Sequence, residues 1–389
     1  MKKPYESGRA WIELDLKNLE HNVKVVKSIL PHDCELMAVV KGNAYGHGAV
    51  PIAFSLNALG VNAFCVATIT EAIQLRESGV VGEILILGYT HPVDFPLLNR
   101  YELTQAVISY DYAQLLDSYT SNIRVHVAID TGMHRLGVDV QDLDAILAIF
   151  NMEHLFVTGI YSHLCADTYF SELDESFTDQ QVSQFAELVN TLREQDYIVK
   201  AHIIGTFGLL HCPTVGGDYA RIGMALYGVF ARRIDLVACP ANVKPVLTLK
   251  ARVMSIRTVR KGEYVGYGFA YQADRDRRIA TVSIGYGDGY PRSLSYGRGD
   301  VLINGHYAPI VGRVCMDQIM VDVSHIRSVH PGDVAVLIGK NYNAEITVYD
   351  LAEQANTIST EIVSRLGARL PFLSIRYPHP PNLVKEPSL

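Results

Sequence analysis

Between residues 36 and 230 the chain alternates short, almost continuous apolar runs with segments whose apolar residues recur at helical spacing. The runs are LMAVVK (36–41), AFCVAT (63–68), EILILG (83–88), QAVIS (105–109), RVHVAIDTG (124–132), VTGIYSH (157–163), VKAHIIGT (199–206) and ARIGMALYG (220–228). Runs of this kind suit strands covered on both faces, as in parallel sheets flanked by helices. Eight strand-plus-helix units within about 200 residues predict a (β/α)8 barrel. A doubly wound open sheet is the alternative; no GxGxxG fingerprint follows the first strand to favour it.

The pattern changes near Cys239-Pro240. LTLKARV (247–253) alternates strictly, with Leu247, Leu249, Ala251 and Val253 on one face and Thr248, Lys250 and Arg252 on the other. VLINGHYAPIVG (301–312) carries Asn304-Gly305, a type I′ hairpin signal, and DVAVLIG (333–339) reads as a further strand. Helical patterning returns only over 347–367. The expected organisation is therefore an α/β chain with an N-terminal barrel over 1–239 and a mostly β domain over 240–389, the N-terminal strand joining the β domain. The proline-rich tail, YPHPPNLVKEPSL, reads as loosely held.

Composition narrows the partners. The chain of 389 residues is 49% hydrophobic and 19% charged, with a net charge of −7. That balance suits a soluble globular protein and disfavours nucleic-acid or anionic-membrane contact, which needs basic patches. The one dense basic stretch, DRDRR (274–278), reads as a solvated loop. The six cysteines form no CxxC pair, so neither a zinc site nor a disulfide framework is expected. Most sit in apolar runs, which suggests reduced, buried thiols in a cytoplasmic protein. The N-terminus lacks the apolar core of a signal peptide, and no apolar run approaches the ~20 residues that span a bilayer.

The chemistry begins at Lys41, at the carboxyl end of the first barrel strand, where active sites of such barrels lie. A partly desolvated lysine has a lowered pKa and can condense with an aldehyde. Gly42, Gly46 and Gly48 would let the backbone approach a bound group, and Tyr45 could offer a hydroxyl to a phosphate. On spacing alone, a strand-end lysine reaching solvent is the more ordinary reading.

AVVKGNAYGHG (38–48) resembles the pyridoxal-phosphate lysine motif of the alanine racemase family. IDTGMHRLG (129–137), GIYSHLCAD (159–167), ARIGMALYG (220–228), VGYGFAY (265–271), SIGYGDGYPR (283–292) and GRVCMDQ (312–318) follow in the family's order. The resemblance spans almost the whole chain. It implies a barrel with a C-terminal β domain, pyridoxal 5′-phosphate as cofactor, a small amino acid as substrate and a homodimer with shared active sites. It assigns Lys41 to the cofactor aldehyde and to one face of the substrate. Tyr267, from the partner subunit, is assigned to the opposite face. A tyrosine, with an ordinary pKa near ~10, needs cationic neighbours or strong hydrogen bonds to act as a base.

The resemblance places Arg221 against the pyridine nitrogen. Tyr45, Thr206, Gly223 and Met224 fall at the phosphate, His163 beside the ring, and Arg135 near the phenolic oxygen and the substrate carboxylate. Met316, from the second subunit, supplies a backbone N–H to that carboxylate, with Asp317 supporting it. Three positions depart from the family pattern. Ala128 replaces a lysine that becomes carbamylated in many members, so Arg135 must be held otherwise, for instance by an anion such as chloride. Gly205 replaces a common asparagine. Thr360 stands where alanine racemases carry a tyrosine near the substrate side chain, which suggests room and a hydroxyl partner for serine. That substitution is similar to the serine racemase branch associated with glycopeptide (vancomycin) resistance, whose racemase domain follows a membrane domain. The chain is thus expected to be either such a cytoplasmic domain or a stand-alone enzyme. Competing readings are a decarboxylase of basic amino acids and a non-catalytic pyridoxal-phosphate carrier.

Overall fold

The computed structural model describes residues 8–166, 172–212, 216–238, 242–367 and 369–375. The expected boundary at Cys239-Pro240 and the proline-rich tail lie outside them. The chain divides into two compact units. One comprises residues 20–226 and 239–243; the other comprises 1–19, 227–238 and 244–389.

Strand β1 (Ala10–Asp15) belongs to the second unit. The first is built on β2 (Glu35–Val39), β3 (Ala63–Val66), β4 (Glu83–Ile86), β5 (Thr104–Val107), β6 (Ile123–Asp130), β7 (Val138–Asp139), β8 (Leu155–Tyr161), β9 (Lys200–His202) and β10 (Tyr219–Ile222). Setting aside the two-residue β7, which pairs only with β6, the order is β10-β2-β3-β4-β5-β6-β8-β9, all parallel. A parallel bridge between Gly205 and Arg221 joins the two ends and leaves the barrel nearly closed. All eight apolar runs are strands, and β3, β5 and β10 are buried along their whole length. The interior is filled by side chains that include Met37, Val39, Cys65, Leu85, Ala106, Ala128, Tyr161 and Tyr219.

Helix starts follow local chemistry. Thr68 caps helix Ile69–Glu77, and the Glu71 carboxylate accepts in return from the Thr68 N–H, a reciprocal capping box. Ser109 and Asp142 cap the helices at Tyr110–Asp117 and Leu143–Phe150. The last two connections are shorter than a full β/α unit predicts: a six-residue helix, Thr206–His211, follows β9, and a 3-10 turn, Met224–Tyr227, follows β10.

The second unit holds β11 (Leu247–Val259), β12 (Arg277–Val282), β13 (Asp300–Ile303), β14 (His306–Val311), β15 (Ile319–Asp322), β16 (Val334–Asn341), β17 (Ala344–Ile346) and β18 (Phe372–Ile375). The order is β17-β16-β13-β14-β15-β12-β11-β1-β18, and a further β16–β11 pairing folds this sheet on itself. β11 buries Leu247, Leu249, Ala251 and Val253, the face its alternation predicts. Asn304 and Gly305 both have positive φ and turn β13 into β14, as an Asn-Gly hairpin requires.

Three expectations change. Arg277 and Arg278 start β12 instead of lying in a loop, because Arg277 pairs with Asp274 and with Asp322 on β15. The helical stretch at 347–367 is two helices, Val348–Ala355 and Ser359–Ser364, because Asn356 takes the left-handed conformation and ends the first. The described cysteines are free, but only Cys34 and Cys65 are buried; Cys212 and Cys315 are half-buried and Cys165 is exposed. Among the described residues no helix is long and apolar enough to cross a membrane, and no cluster of His, Cys, Asp and Glu could hold a metal ion.

Candidate functional site

Lys41 follows β2 and opens a turn of left-handed helix. Gly42, Asn43, Ala44 and Tyr45 have φ between 51° and 60°, and Gly46 and Gly48 are also positive. Three of these residues are not glycine, and left-handed geometry costs roughly 1–2 kcal/mol for each such residue. Five hydrogen bonds offset this. Ala44 N–H donates to Val40 O at 2.8 Å, Gly46 N–H to Gly42 O at 3.0 Å and Gly48 N–H to Asn43 O at 2.9 Å. The Asn43 side-chain oxygen accepts from Ala49 N–H at 2.8 Å, and Glu71 accepts from Gly42 N–H at 2.7 Å. The glycines therefore supply positive φ, and a Cβ on Gly42 would meet nothing within 4 Å. Glu71 was not flagged by sequence reasoning. Its signal was the Thr68-x-x-Glu71 capping box, whose second oxygen holds Ala67 N–H.

The Lys41 amine is held below its ordinary pKa, first by desolvation and then by Arg135 and Arg221, against the opposing charge of Glu71. Arg135 lies exposed on the loop after β6, which Asp130 shapes by accepting from Gly132 N–H and His134 N–H. No hydrogen bond or ion pair reaches the Arg135 side chain from the described residues, and Ala128 is buried in the barrel core without a polar group to offer.

Arg221, on β10, is 5% exposed. Its Nη1 donates to Nδ1 of His202 at 2.7 Å and to His202 O at 2.9 Å. Its Nη2 donates to Ser162 O at 2.6 Å and lies 3.3 Å from Nδ1 of His163. Both terminal nitrogens are thus committed, and Nε–H is the donor left over among the described residues. No described carboxylate pairs with this cation. Desolvation, Arg221, Arg135 and Lys41 push His163 down to about 3. Part of that ring is exposed at the barrel mouth.

Beside this group, the Tyr45 ring lies against Gly223: a Cβ there would sit 3.1 Å from the Tyr45 hydroxyl. Gly223 N–H donates to the Thr206 hydroxyl at 3.4 Å. Burial pushes the Tyr45 phenol up to about 12, so it stays a neutral hydroxyl able to donate. Met224 is buried at the start of the following 3-10 turn. Gly205 bridges to Arg221 beside His163, where a Cβ would come 3.7 Å from the ring. The first unit therefore brings together Lys41, Arg135, His163 and Arg221, and alongside them Tyr45, Thr206 and Gly223.

In the second unit Tyr267 starts a 3-10 turn between two glycines of positive φ and is 71% exposed. A Cβ on Gly268 would touch the Arg313 guanidinium at 3.0 Å, which fixes the turn against the segment leading to Met316. Met316 is half exposed, and its carbonyl accepts from Gly287 N–H at 2.8 Å. Asp317 pairs with Arg369 at 2.8 Å. Thr360 is half-buried on the helix Ser359–Ser364, next to the fully buried Ser359 whose hydroxyl donates to Phe230 O. No hydrogen bond joins Thr360 to Tyr267 among the described residues.

Sequence reasoning also missed a set of polar residues inside the barrel. Glu83 receives a hydrogen bond from Tyr219 at 2.9 Å and lies 3.1 Å from His126, while Lys200 contacts the Tyr219 hydroxyl. Their apolar strand neighbours disguised them. Desolvation pushes the Glu83 carboxyl up, but the close contact of His126, the hydrogen bond from Tyr219 and the charge of Lys200 outweigh it and hold it at about 2, against an ordinary 4.5. A lowered carboxyl stabilises the folded state above its unfolded pKa and ceases to do so as pH falls through the folded value. Stability contributed by Glu83 should thus be full above pH 4.5 and disappear towards pH 2. Denaturant titrations across this window should show a steeper acid loss for the native chain than for Glu83→Gln; parallel curves would contradict it.

At one barrel mouth stand a lysine amine, an arginine that no described carboxylate pairs, and the hydroxyls of Tyr45 and Thr206 beside Gly223. Two family models match the chain: the alanine racemase N-terminal domain over residues 14–230 and the alanine racemase C-terminal domain over 246–374. The chain belongs to the alanine racemase family. It is 43% identical over 366 residues to an amino-acid racemase of Enterococcus faecalis, covering 94% of this chain and 51% of that one. It is 37% identical over 364 residues to a serine/alanine racemase of Enterococcus gallinarum, covering 93% and 51%. The chain thus spans about half the length of these curated relatives. It also matches the crystal structure of the Bacillus anthracis alanine racemase with bound L-Ala-P, with a TM-score of 0.88, 32% identity and 95% of each chain covered.

Proposed function

We propose that this chain interconverts the L and D forms of alanine and serine, using pyridoxal 5′-phosphate and two bases on opposite faces of the α-carbon. The residues fit that cofactor: a desolvated amine for its aldehyde, the Tyr45–Thr206–Gly223 pocket for its phosphate, and the unused Nε–H of Arg221 for its ring nitrogen. When bound, the cofactor supplies an electron sink for the charge that develops on the α-carbon. Lys41 Nζ holds the cofactor, yields to the substrate amine, and then moves a proton on one face. The Tyr267 hydroxyl serves the other face, contributed by a second copy of the chain. Arg135 and the Met316 N–H of the second copy orient the substrate carboxylate.

The observation that carries the reading is Arg221 buried among carbonyls and imidazoles with no described carboxylate. A guanidinium only donates, so it leaves a ring nitrogen unprotonated and limits the spread of charge into the ring. That favours return of the proton to the α-carbon over decarboxylation or transamination, which an acidic partner would assist. Incubation of purified chain with cofactor and L-alanine or L-serine, followed by chiral chromatography, should give both D-enantiomers. Serine kcat/KM should lie within ~10³ of that for alanine, since a pocket that pairs a hydroxyl favours it. Carbon dioxide release from basic amino acids, or cofactor binding with no exchange of the α-hydrogen in deuterium oxide, would refute it.

Thr360 is the proposed selector. Thr360→Tyr fills the space and removes the small hydroxyl, so the serine-to-alanine ratio of kcat/KM should fall about tenfold or more. An unchanged ratio would remove Thr360 from that role.

A further inference from the structure

Arg221 is a buried cation without a nearby carboxylate, and such a charge is costly unless compensated. Its hydrogen bonds show where compensation lies. Nη1 points at Nδ1 of His202 at 2.7 Å. A guanidinium cannot accept, so that nitrogen carries no proton. His202 is buried and held well below its ordinary pKa, first by desolvation and then by the charges of Arg221 and Lys200, so the ring is neutral and its proton is on Nε2. Nε2 lies 2.9 Å from Nδ1 of His126, which must accept. The His126 proton is then on Nε2, which lies 3.1 Å from Oε1 of Glu83, a charge contact outside hydrogen-bond geometry. Donation therefore runs one way, Arg221 to His202 to His126, and leaves the His126 Nε2–H in ion-pair range of the Glu83 carboxylate, with both imidazoles fully buried.

Glu83 opens β4 at the N-terminal end of the strands, the opposite end from Lys41. Its own surroundings keep it an acceptor. Thr104 donates at 3.3 Å to Oε1 and Tyr219 at 2.9 Å to Oε2, while Lys200 sits 4.2 Å over the Tyr219 ring and contacts its hydroxyl. The relay ends at a polar cleft of about 260 Å³ lined by Glu83, His126, Lys200 and Thr104.

We propose that Glu83 is a positioning residue for Arg221: it locks His126 and His202 as Nε2–H tautomers and thereby leaves the guanidinium Nε–H free for the cofactor ring nitrogen. The part concerning the ring nitrogen rests on the racemase reading above; the tautomer lock does not. A donor at position 83 would reverse the chain and set a His202 Nδ1–H against Arg221, which has no acceptor.

The test is ¹⁵N NMR of histidine-labelled full chain at neutral pH, combined with kinetics. The native chain should show both buried histidines neutral and protonated at Nε2. Glu83→Gln, whose amide can donate or accept, should show mixed tautomers at His126 and His202. Its kcat should fall about tenfold with KM changed less than twofold, since no substrate contact is touched. Glu83→Asp, which keeps the charge, should restore the single tautomer and most of the rate. A His202 protonated at Nδ1 in the native chain would overturn the proposal, as would native tautomers and kcat in Glu83→Gln. If Glu83→Gln fails to fold, the native tautomers still decide, and His126→Gln should mix the His202 tautomers in its place. A chain with the expected tautomers that racemises nothing would keep the relay and overturn the proposed activity instead.

Discussion

Replacing Lys41 with alanine is expected to lower racemisation of alanine by at least ~10⁴-fold, the largest effect of any single change in this chain. Two functions disappear together. On the proposed reading the amine that holds the cofactor aldehyde is lost, and so is the base on one face of the α-carbon. The surroundings of Lys41 explain why no neighbour can substitute. Arg135 and Arg221 are permanently charged and cannot accept a proton. His163 is pushed down to about 3 and stays neutral, but the resemblance places it beside the ring, not at the α-carbon. Turnover of L-alanine by chiral chromatography, with and without added methylamine, checks this. A small amine should recover a detectable part of the rate in Lys41→Ala, because the cavity and its electrostatics remain. A Lys41→Ala chain within tenfold of the native rate would contradict the assignment.

Tyr267→Phe is expected to cost about 10³-fold in kcat, with a smaller change in KM, because only a proton-transfer group is removed. Tyr267 is 71% exposed on its turn, and Tyr264 and Phe269 beside it are also exposed. A catalytic phenol left in solvent by its own chain fits a site completed by a second copy. This gives a sharper test than the single variant. Mixing inactive Lys41→Ala with inactive Tyr267→Phe under conditions of subunit exchange should restore activity to at most about a quarter of native. In a two-fold dimer, half of the randomly formed pairs are mixed and each has one intact site. No recovery, with exchange verified, would place Lys41 and Tyr267 in the same subunit's site.

The architecture was largely legible because the two units differ in period. Near-continuous apolar runs marked β2 to β6 and β8 to β10, whereas strict alternation marked β11. Asn304-Gly305 announced its hairpin through the positive φ that both residues must adopt. Lys41 was legible as a strand-end lysine, but its left-handed turn was not: Asn43, Ala44 and Tyr45 have no sequence preference strong enough to announce three positive φ values in a row. The split of 347–367 at Asn356 was hidden by a continuous helical pattern across it. The barrel relay was hidden for another reason. Glu83, His126 and His202 are separated by 43 and 76 residues, and each sits in a strand whose neighbours read as core. Only the closure of the sheet reveals that they face one another.

The claim on which the account turns is that Lys41 carries the cofactor. Borohydride reduction of the cofactor-loaded chain, followed by peptide mapping by mass spectrometry, measures this directly. The account predicts a single reduced adduct on the peptide containing Lys41, absent from Lys41→Ala. An adduct on any other lysine, with Lys41 unmodified, would contradict it.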